Sequence, residues 1–283
     1  MRRVSDVLQK MFITFQQCLT EQPRRQAEDL LSEFFHCSRI DLYGRFYDYP
    51  LTETEWQTCE KWLQRRLLGE PLAYITKRID FYNCQLEITP HVLIPRQETE
   101  ILVDKISDFL SKQDLEEKIL WDICCGSGCI GIALKKKHPA LQVYATDISL
   151  QALTLAENNA KKNQVAICFL EGDLFSPFAK QKAHYIVCNP PYLSSSEYVH
   201  LDQTVKKYEP VLALVGGNTG LEFYDRLAKE LPDHLFPCGR VWLEIGYQQG
   251  VAVHQIFDHP LWKTRTLQKD WSGHDRFFFL ENE

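Results

Sequence analysis

The chain of 283 residues predicts an α/β fold: an open, mostly parallel sheet wound with helices, behind a small helical bundle. Three observations predict it. Short apolar, β-prone runs recur from Ile119 onward and alternate with helical segments of three- and four-residue apolar spacing. A glycine-rich turn, Cys124 to Gly128, joins the first of those runs to a helix. The first seventy or so residues read as helical instead.

Composition sets the class. Hydrophobic residues make up 45% and charged residues 25%, as in an ordinary soluble globular protein. A formal net charge of −6 speaks against a dedicated duplex-DNA binder, which carries a basic surface. None of the ten cysteines forms a Cys-x-x-Cys pair. They read as reduced thiols of a cytoplasmic protein, used as small hydrophobes, and no metal site is expected. The start, Met-Arg-Arg-Val-Ser-Asp-Val-Leu, lacks the apolar run of a signal peptide or membrane span.

Residues 1–76 form the first expected domain. Val4, Val7, Leu8, Met11, Phe12 and Phe15 share one helical face. A second helix starts near Pro23, with a stripe of Ala27, Leu30, Leu31, Phe34 and Phe35. Thr52-Glu-Thr-Glu opens a third, carrying Trp56, Cys59, Trp62, Leu63 and Leu67, and Gly69 and Pro71 stop it. Such a bundle serves either as a cap or as a partner-binding module. Residues 77–94 read as a linker built on a β-hairpin, with runs at 79–82 and 85–88 around Asn83. The third segment, 95–283, begins within the motif Ile94-Pro-Arg-Gln-Glu-Thr-Glu, after its Ile94, and continues into a helix containing Ile101, Leu102, Ile106 and Leu110. Arg96, Glu98 and Glu100 are either a solvated helix start or part of the mouth of a site.

Ile119-Leu-Trp-Asp-Ile is the first strand of this segment, and Cys124, Cys125, Gly126, Ser127 and Gly128 follow it. A helix N-terminus after such a turn offers N–H groups to a carboxylate or phosphate. The next strand ends in Asp147, about twenty residues on, which suits a ribose diol. Ser149 is a cap for the helix carrying Ala152, Leu153, Leu155 and Ala156. A third strand, 165–170, leads to Asp173 and Leu174, an acid and an apolar residue fit for an adenine edge and face. Asp173 also reads as a simple turn residue. Gly126, Gly128 and Gly131 match G-x-G-x-x-G, which alone points equally to NAD.

Tyr185-Ile-Val-Cys is a buried strand that ends in Asn189-Pro190-Pro191-Tyr192. Two prolines stop the ladder and stiffen the turn. At a strand's carboxyl end, the Asn189 side-chain oxygen can accept one N–H of a planar NH2 group and the Pro190 carbonyl the other. The Tyr192 ring can pack against that plane. Farther on, 220–231 and 249–257 read as helices and the segment 239–246 as a strand; 262–267 and 276–280 read as a terminal antiparallel pair. Glu244, at the end of its strand, reads first as structural, with orientation of the site as the alternative.

Taken together, these residues resemble class I S-adenosylmethionine-dependent methyltransferases acting on planar NH2 groups. Gly69-Glu-Pro-Leu-Ala-Tyr-Ile, Ile94-Pro-Arg-Gln-Glu-Thr-Glu, Glu209-Pro and Gly273-x-x-Arg276 narrow the resemblance to the peptide chain release factor glutamine methyltransferases (HemK/PrmC type). It spans nearly the whole chain from about residue 60. The resemblance implies a Rossmann-like sheet of seven strands, mostly parallel. It also implies methylation of the glutamine amide in the Gly-Gly-Gln loop of a release factor, docked with help from the helical domain. Cofactor contacts carry over to Cys124 through Gly128, Asp147, Asp173, Leu174 and Asn189, and substrate contacts to Asn189, Pro190, Pro191 and Tyr192. One departure stands out: Cys124-Cys125 occupies the place of the usual Gly-Thr. A Cβ at 124 is expected to keep that residue out of the left-handed region. Three rivals remain: a DNA adenine methyltransferase flipping its base, an NAD-dependent oxidoreductase, and a module that holds a release factor without methylating it.

Overall fold

The computed structural model describes residues 2–18 and 20–283. The chain divides into two compact units, one up to Lys77 and one from Arg78 onward.

The first unit is helical. Its elements are α1 (Val4–Gln17), α2 (Pro23–Phe35), the single turn α3 (Arg39–Asp41), α4 (Glu53–Leu67) and α5 (Leu72–Thr76). The apolar stripes read from the sequence meet in one core of Val4, Val7, Met11, Phe15, Leu30, Leu31, Cys59 and Leu63. Thr52 and Glu55 cap α4 reciprocally: Thr52 Oγ1 accepts the Glu55 N–H, and Glu55 Oε2 accepts the Thr52 N–H at 2.7 Å. A wide helical turn over Leu42–Phe46 follows α3 and stacks Phe46 on Phe35 at 4.8 Å. Sequence periodicity could not reveal it, because aromatic packing across the loop shapes it.

The second unit is the α/β domain. A hairpin of β1 (Arg78–Phe81) and β2 (Cys84–Glu87) precedes α6 (Gln97–Leu110). The hairpin is docked on its own unit by two asparagines one turn apart. Asn159 accepts the Glu87 N–H at 2.6 Å and donates to its carbonyl at 3.0 Å. Asn163 does the same for Gln85, at 3.2 and 2.8 Å. Two side-chain amides thus stand in for a neighbouring strand, which satisfies backbone groups that an edge leaves open.

The seven strands of the sheet are β3 (Ile119–Ile123), β4 (Gln142–Asp147), β5 (Cys168–Glu171), β6 (Ala183–Cys188), β9 (Leu235–Glu244), β10 (Trp262–Lys269) and β11 (Asp275–Asn282). They lie in the order β10-β11-β9-β6-β3-β4-β5. The five from β9 to β5 are parallel, while β11 pairs antiparallel with both β9 and β10. Helices α7 (Cys129–Lys137), α8 (Leu150–Lys162), α11 (Glu222–His234) and α12 (Gly250–Ile256) connect the strands. A small parallel pair, β7 (Leu193–Ser194) and β8 (Val215–Gly217), brackets α9 (Ser195–His200) and α10 (Gln203–Tyr208). Strand alternation splits the core. Trp121, Ile186 and Val241 join Phe178, Tyr224, Leu227 and Phe257 on one side. On the other, Phe109 of α6 sits against Tyr185 and Trp242.

Three boundaries differ from the sequence reading by three residues or more: the start of β5, the end of α11 and the start of β9. β5 starts at Cys168, not 165, because the Val165 N–H caps α8 on the Ala160 carbonyl with Gln164 left-handed at φ 59°. Helix α11 runs to His234 and accommodates Pro232, and β9 begins directly after it. Pro232 costs that last turn one hydrogen bond but does not break the helix.

Candidate active site

Strand order reverses beside β3, where β4 and β6 flank it and their connections diverge. In open α/β sheets the crevice at such a switch point holds ligand. Here the crevice is a cavity of about 340 Å³, within the range of small-molecule sites. Cys124, Cys125, Gly126 and Ser127 line it from β3, and Asp147 from β4. Asp173 and Leu174 line it beyond β5, and Asn189 and Pro191 beyond β6. Nine of the twelve residues read from the sequence therefore share one cavity.

Gly128, Pro190 and Tyr192 do not line it. Gly128 is the N-cap of α7, set tightly against Ile132 and Ala156. Pro190 is buried. The Tyr192 ring packs against the hydrophobic core, and burial pushes its phenol well up. Tyr192 anchors the turn through its backbone: Gln249 Nε2 donates to its carbonyl at 2.8 Å. A Cβ on Gly216 would overlap the Pro191 carbonyl oxygen, and one on Gly220 the Tyr192 carbonyl oxygen. Two glycines thus let β8 and the turn before α11 approach the backbone of the Asn-Pro-Pro-Tyr turn closely.

Cys124 overturns one expectation. It adopts φ 59°, inside the left-handed region it was expected to avoid. The turn demands that conformation and its neighbours hold it. The Cys125 N–H donates to the Thr146 carbonyl at 2.9 Å, the Gly128 N–H to the Cys125 carbonyl at 2.8 Å, and the Gly126 N–H to Asp147 Oδ2 at 2.8 Å. Leu174, across the cavity, is left-handed too, at φ 48°.

One N–H of the glycine turn, that of Gly126, points at a protein carboxylate, and one in the first turn of α7, that of Gly131, at another. Asp147 takes Gly126 on one oxygen and the Ser149 N–H on the other at 2.9 Å. Burial nevertheless raises its pKa above the usual carboxylate range. Asp122, fully buried in β3, takes the Gly131 N–H of α7 at 2.8 Å. Burial, opposed by that N–H and reinforced by Asp147, pushes the Asp122 carboxyl up to about 7. A dinucleotide pyrophosphate here would meet the Asp147 carboxylate and find the Gly126 N–H already taken by it, which weighs against the NAD reading. A ribose diol, donating to the remaining lone pairs of Asp147, and a cationic sulfonium both fit.

Other residues build the site, and of these Asn159 and Arg226 carry no signature in the sequence. Asn159, fully buried, donates to the Ser127 carbonyl at 3.0 Å and so ties the glycine turn to the hairpin strand. Arg226 lines the cavity and pairs with Asp173 at 3.0 Å. Arg96 bonds both oxygens of buried Glu209, at 2.6 and 2.7 Å. That pair joins two of the motifs noted in the sequence and pins the chain entering Pro210–Ala213, of which Pro210, Leu212 and Ala213 line the cavity. Asn189 donates through Nδ2 to Thr99 Oγ1 at 3.5 Å, and Thr99 donates to Glu244 Oε2 at 2.8 Å.

Comparison with known proteins identifies the family. Residues 6–76 match the PrmC N-terminal domain model, and residues 97–213 the methyltransferase small domain model. A release factor glutamine methyltransferase of Chlamydia trachomatis serovar L2 is 45% identical over 261 residues, covering 92% of this chain and 88% of that one. The chain belongs to the release factor glutamine methyltransferase family. A Staphylococcus aureus member is 37% identical across 91% of this chain and 93% of its own. Among solved structures, a Pyrococcus furiosus methyltransferase superimposes with a TM-score of 0.51 at 17% identity, covering 77% of this chain and 96% of that one. A Thermus thermophilus 16S rRNA N2 G1207 methyltransferase does so with 0.54 at 13%, covering 73% and 50%. At those identities they bear on the fold, which is the one that family membership implies.

Proposed function

We propose that this chain methylates the side-chain amide of the glutamine in the Gly-Gly-Gln loop of peptide chain release factors. The donor is S-adenosyl-L-methionine, and the products are N5-methylglutamine and S-adenosyl-L-homocysteine. Membership of the family carries the reaction. The observation that carries the chemistry is Asn189, engaged through Nδ2 by Thr99 and lining the cavity. Its Oδ1 is left to accept an N–H of the incoming amide.

S-adenosylmethionine supplies the methyl group together with its own leaving group. The chain's residues align the two reactants. Asp147 holds the ribose hydroxyls, while Asp173 and Leu174 flank the adenine. The turn from Cys124 to Ser127 gives the methionine part room against backbone. Asn189 Oδ1 takes one N–H of the glutamine amide; the other is assigned to the backbone carbonyl of Pro190, whose ring is buried and which the amide reaches between Asn189 and Pro191, and the two together aim the nitrogen lone pair at the methyl carbon. Pro191 walls the amide. No strong general base is assigned, because the amide proton becomes acidic as the N–C bond forms.

The helical unit up to Lys77 is assigned to docking the release factor. Among the described residues, no helix is long and apolar enough to cross a membrane. All ten cysteines are free, which suits a reducing cytoplasm. The deciding assay uses radiolabelled S-adenosylmethionine with a release factor and, separately, its Gln→Ala loop variant. Label on the unmodified factor alone is expected. Label on neither, with cofactor binding intact, would move the assignment to a nucleic-acid substrate or a non-catalytic partner.

A further inference from the structure

The chemistry above needs the Asn189 amide in one of its two flipped orientations, and a chain of donors from the core bears on that choice. Glu244 ends strand β9, next to the middle strand β6, and is 2% exposed. Thr99, also 2% exposed, stands in the first turn of α6. The Thr99 hydroxyl has one proton and gives it to Glu244 Oε2 at 2.8 Å. Toward Asn189 it then presents only lone pairs, so it can be met only by Nδ2, the donor half of that amide. Asn189 therefore turns Nδ2 inward and leaves Oδ1 for the cavity.

We infer that Glu244 is a positioning residue which, in its ionised form and through Thr99, sets the orientation of the Asn189 amide for the substrate N–H. This rests on the assignment of Asn189 as the amide acceptor. The reverse polarity satisfies the same two contacts with donors and acceptors exchanged. A protonated Glu244 donates to Thr99 Oγ1, the Thr99 hydroxyl turns to donate to Asn189 Oδ1, and Nδ2 then faces the cavity. Two N–H donors, substrate and Asn189, would oppose each other there.

Burial sets the balance between these states. It pushes the Glu244 carboxyl up to about 7. The Thr99 and Asn189 hydrogen bonds and the charge of Arg276, from β11, pull it down, while Glu98 of α6 raises it further. The neighbouring groups that feel its charge are the Tyr192 and Tyr224 phenols and the Cys129 thiol; Tyr224 also donates to the Glu244 backbone carbonyl at 3.1 Å. Ionisation of Glu244 near neutrality thus switches the site from the reversed to the productive polarity as pH rises.

The test follows kcat for methylation of an unmodified release factor against pH, with S-adenosylhomocysteine affinity as the control for an intact site. Wild-type kcat is expected to lie about tenfold below its alkaline plateau one unit below the apparent pKa, which lies near the Glu244 value of about 7. Glu244→Gln is isosteric and does not titrate, so its kcat should be flat across that range. Thr99→Val breaks the relay: kcat should fall about tenfold or more with S-adenosylhomocysteine affinity within about twofold of wild type, and Thr99→Ser should restore it. An acidic limb that persists unchanged in Glu244→Gln overturns the inference, as does full kcat in Thr99→Val. Asn189→Ala separates the two layers. Loss of turnover there together with a persistent limb in Glu244→Gln refutes the relay alone, whereas full turnover in Asn189→Ala refutes the amide clamp and the relay with it.

Discussion

Replacing Cys124 in turn by glycine, alanine and valine reads out the backbone strain at the cofactor turn. At φ 59° an L-residue gives up about 1–2 kcal/mol, whereas glycine gives up almost nothing. Glycine in turn loses about 0.4–1 kcal/mol more than alanine in chain entropy on folding. Alanine and glycine both lack the sulfur that packs against the core beside Cys188, so its loss cancels between them. The middle of those two ranges favours Cys124→Gly over Cys124→Ala by about 0.8 kcal/mol, the reverse of the order in helices and strands. Valine is β-branched and disfavours the left-handed region further, so Cys124→Val should fall about 2 kcal/mol or more below Cys124→Gly. For a domain the size of the unit from Arg78 to Glu283, that spread is about 4–8 °C in Tm. Urea and thermal melts of the three variants, with S-adenosylhomocysteine affinity as a check on the site, supply the measurement. An alanine or valine variant as stable as the glycine variant would refute the strain argument.

The other predictions concern the supports of the site. Asp122→Asn should gain stability on wild type as pH rises: the folded carboxyl titrates near about 7 against about 3.9 unfolded, so its contribution is whole below about pH 4 and lost as pH climbs through about 7. Chemical melts of both proteins at about pH 5 and about pH 8 measure it, and a gap that shrinks at the higher pH contradicts the assigned burial. Arg96→Ala leaves buried Glu209 without its cation and should cost about 2–4 kcal/mol, much of it recovered in Arg96→Ala/Glu209→Ala; a double-mutant cycle on urea midpoints gives the coupling. Gly216→Ala should displace the Pro191 carbonyl and lower kcat about tenfold or more while cofactor affinity stays within about threefold, as kinetics and calorimetry would record.

Much of this protein was legible locally. Apolar runs ended by Cys124, Asp147, Asp173 and Asn189 mark strand ends without any knowledge of partners, because side-chain period and the punctuation by glycine and proline are short-range properties. Since a doubly wound sheet gathers those ends on one edge, the cavity lining followed from them. The helical stripes of the first unit and the Thr52–Glu55 cap were legible for the same reason.

What the tertiary structure alone decided is how polar groups find partners in the core. Glu244 and Thr99 lie 145 positions apart and Asn159 and Glu87 72 apart, and nothing in the local pattern distinguishes a buried, bonded Asn159 from a helix-surface asparagine. The left-handed Cys124 is of the same kind. Taken alone, its side chain argues against φ 59°, and it is held there by hydrogen bonds of its neighbours to Thr146 and Asp147 on the adjoining strand. Periodicity reports which face of an element is apolar; it carries no information about which distant donor meets which acceptor. That pairing is settled when the strands come into register and every buried polar group must be satisfied at once.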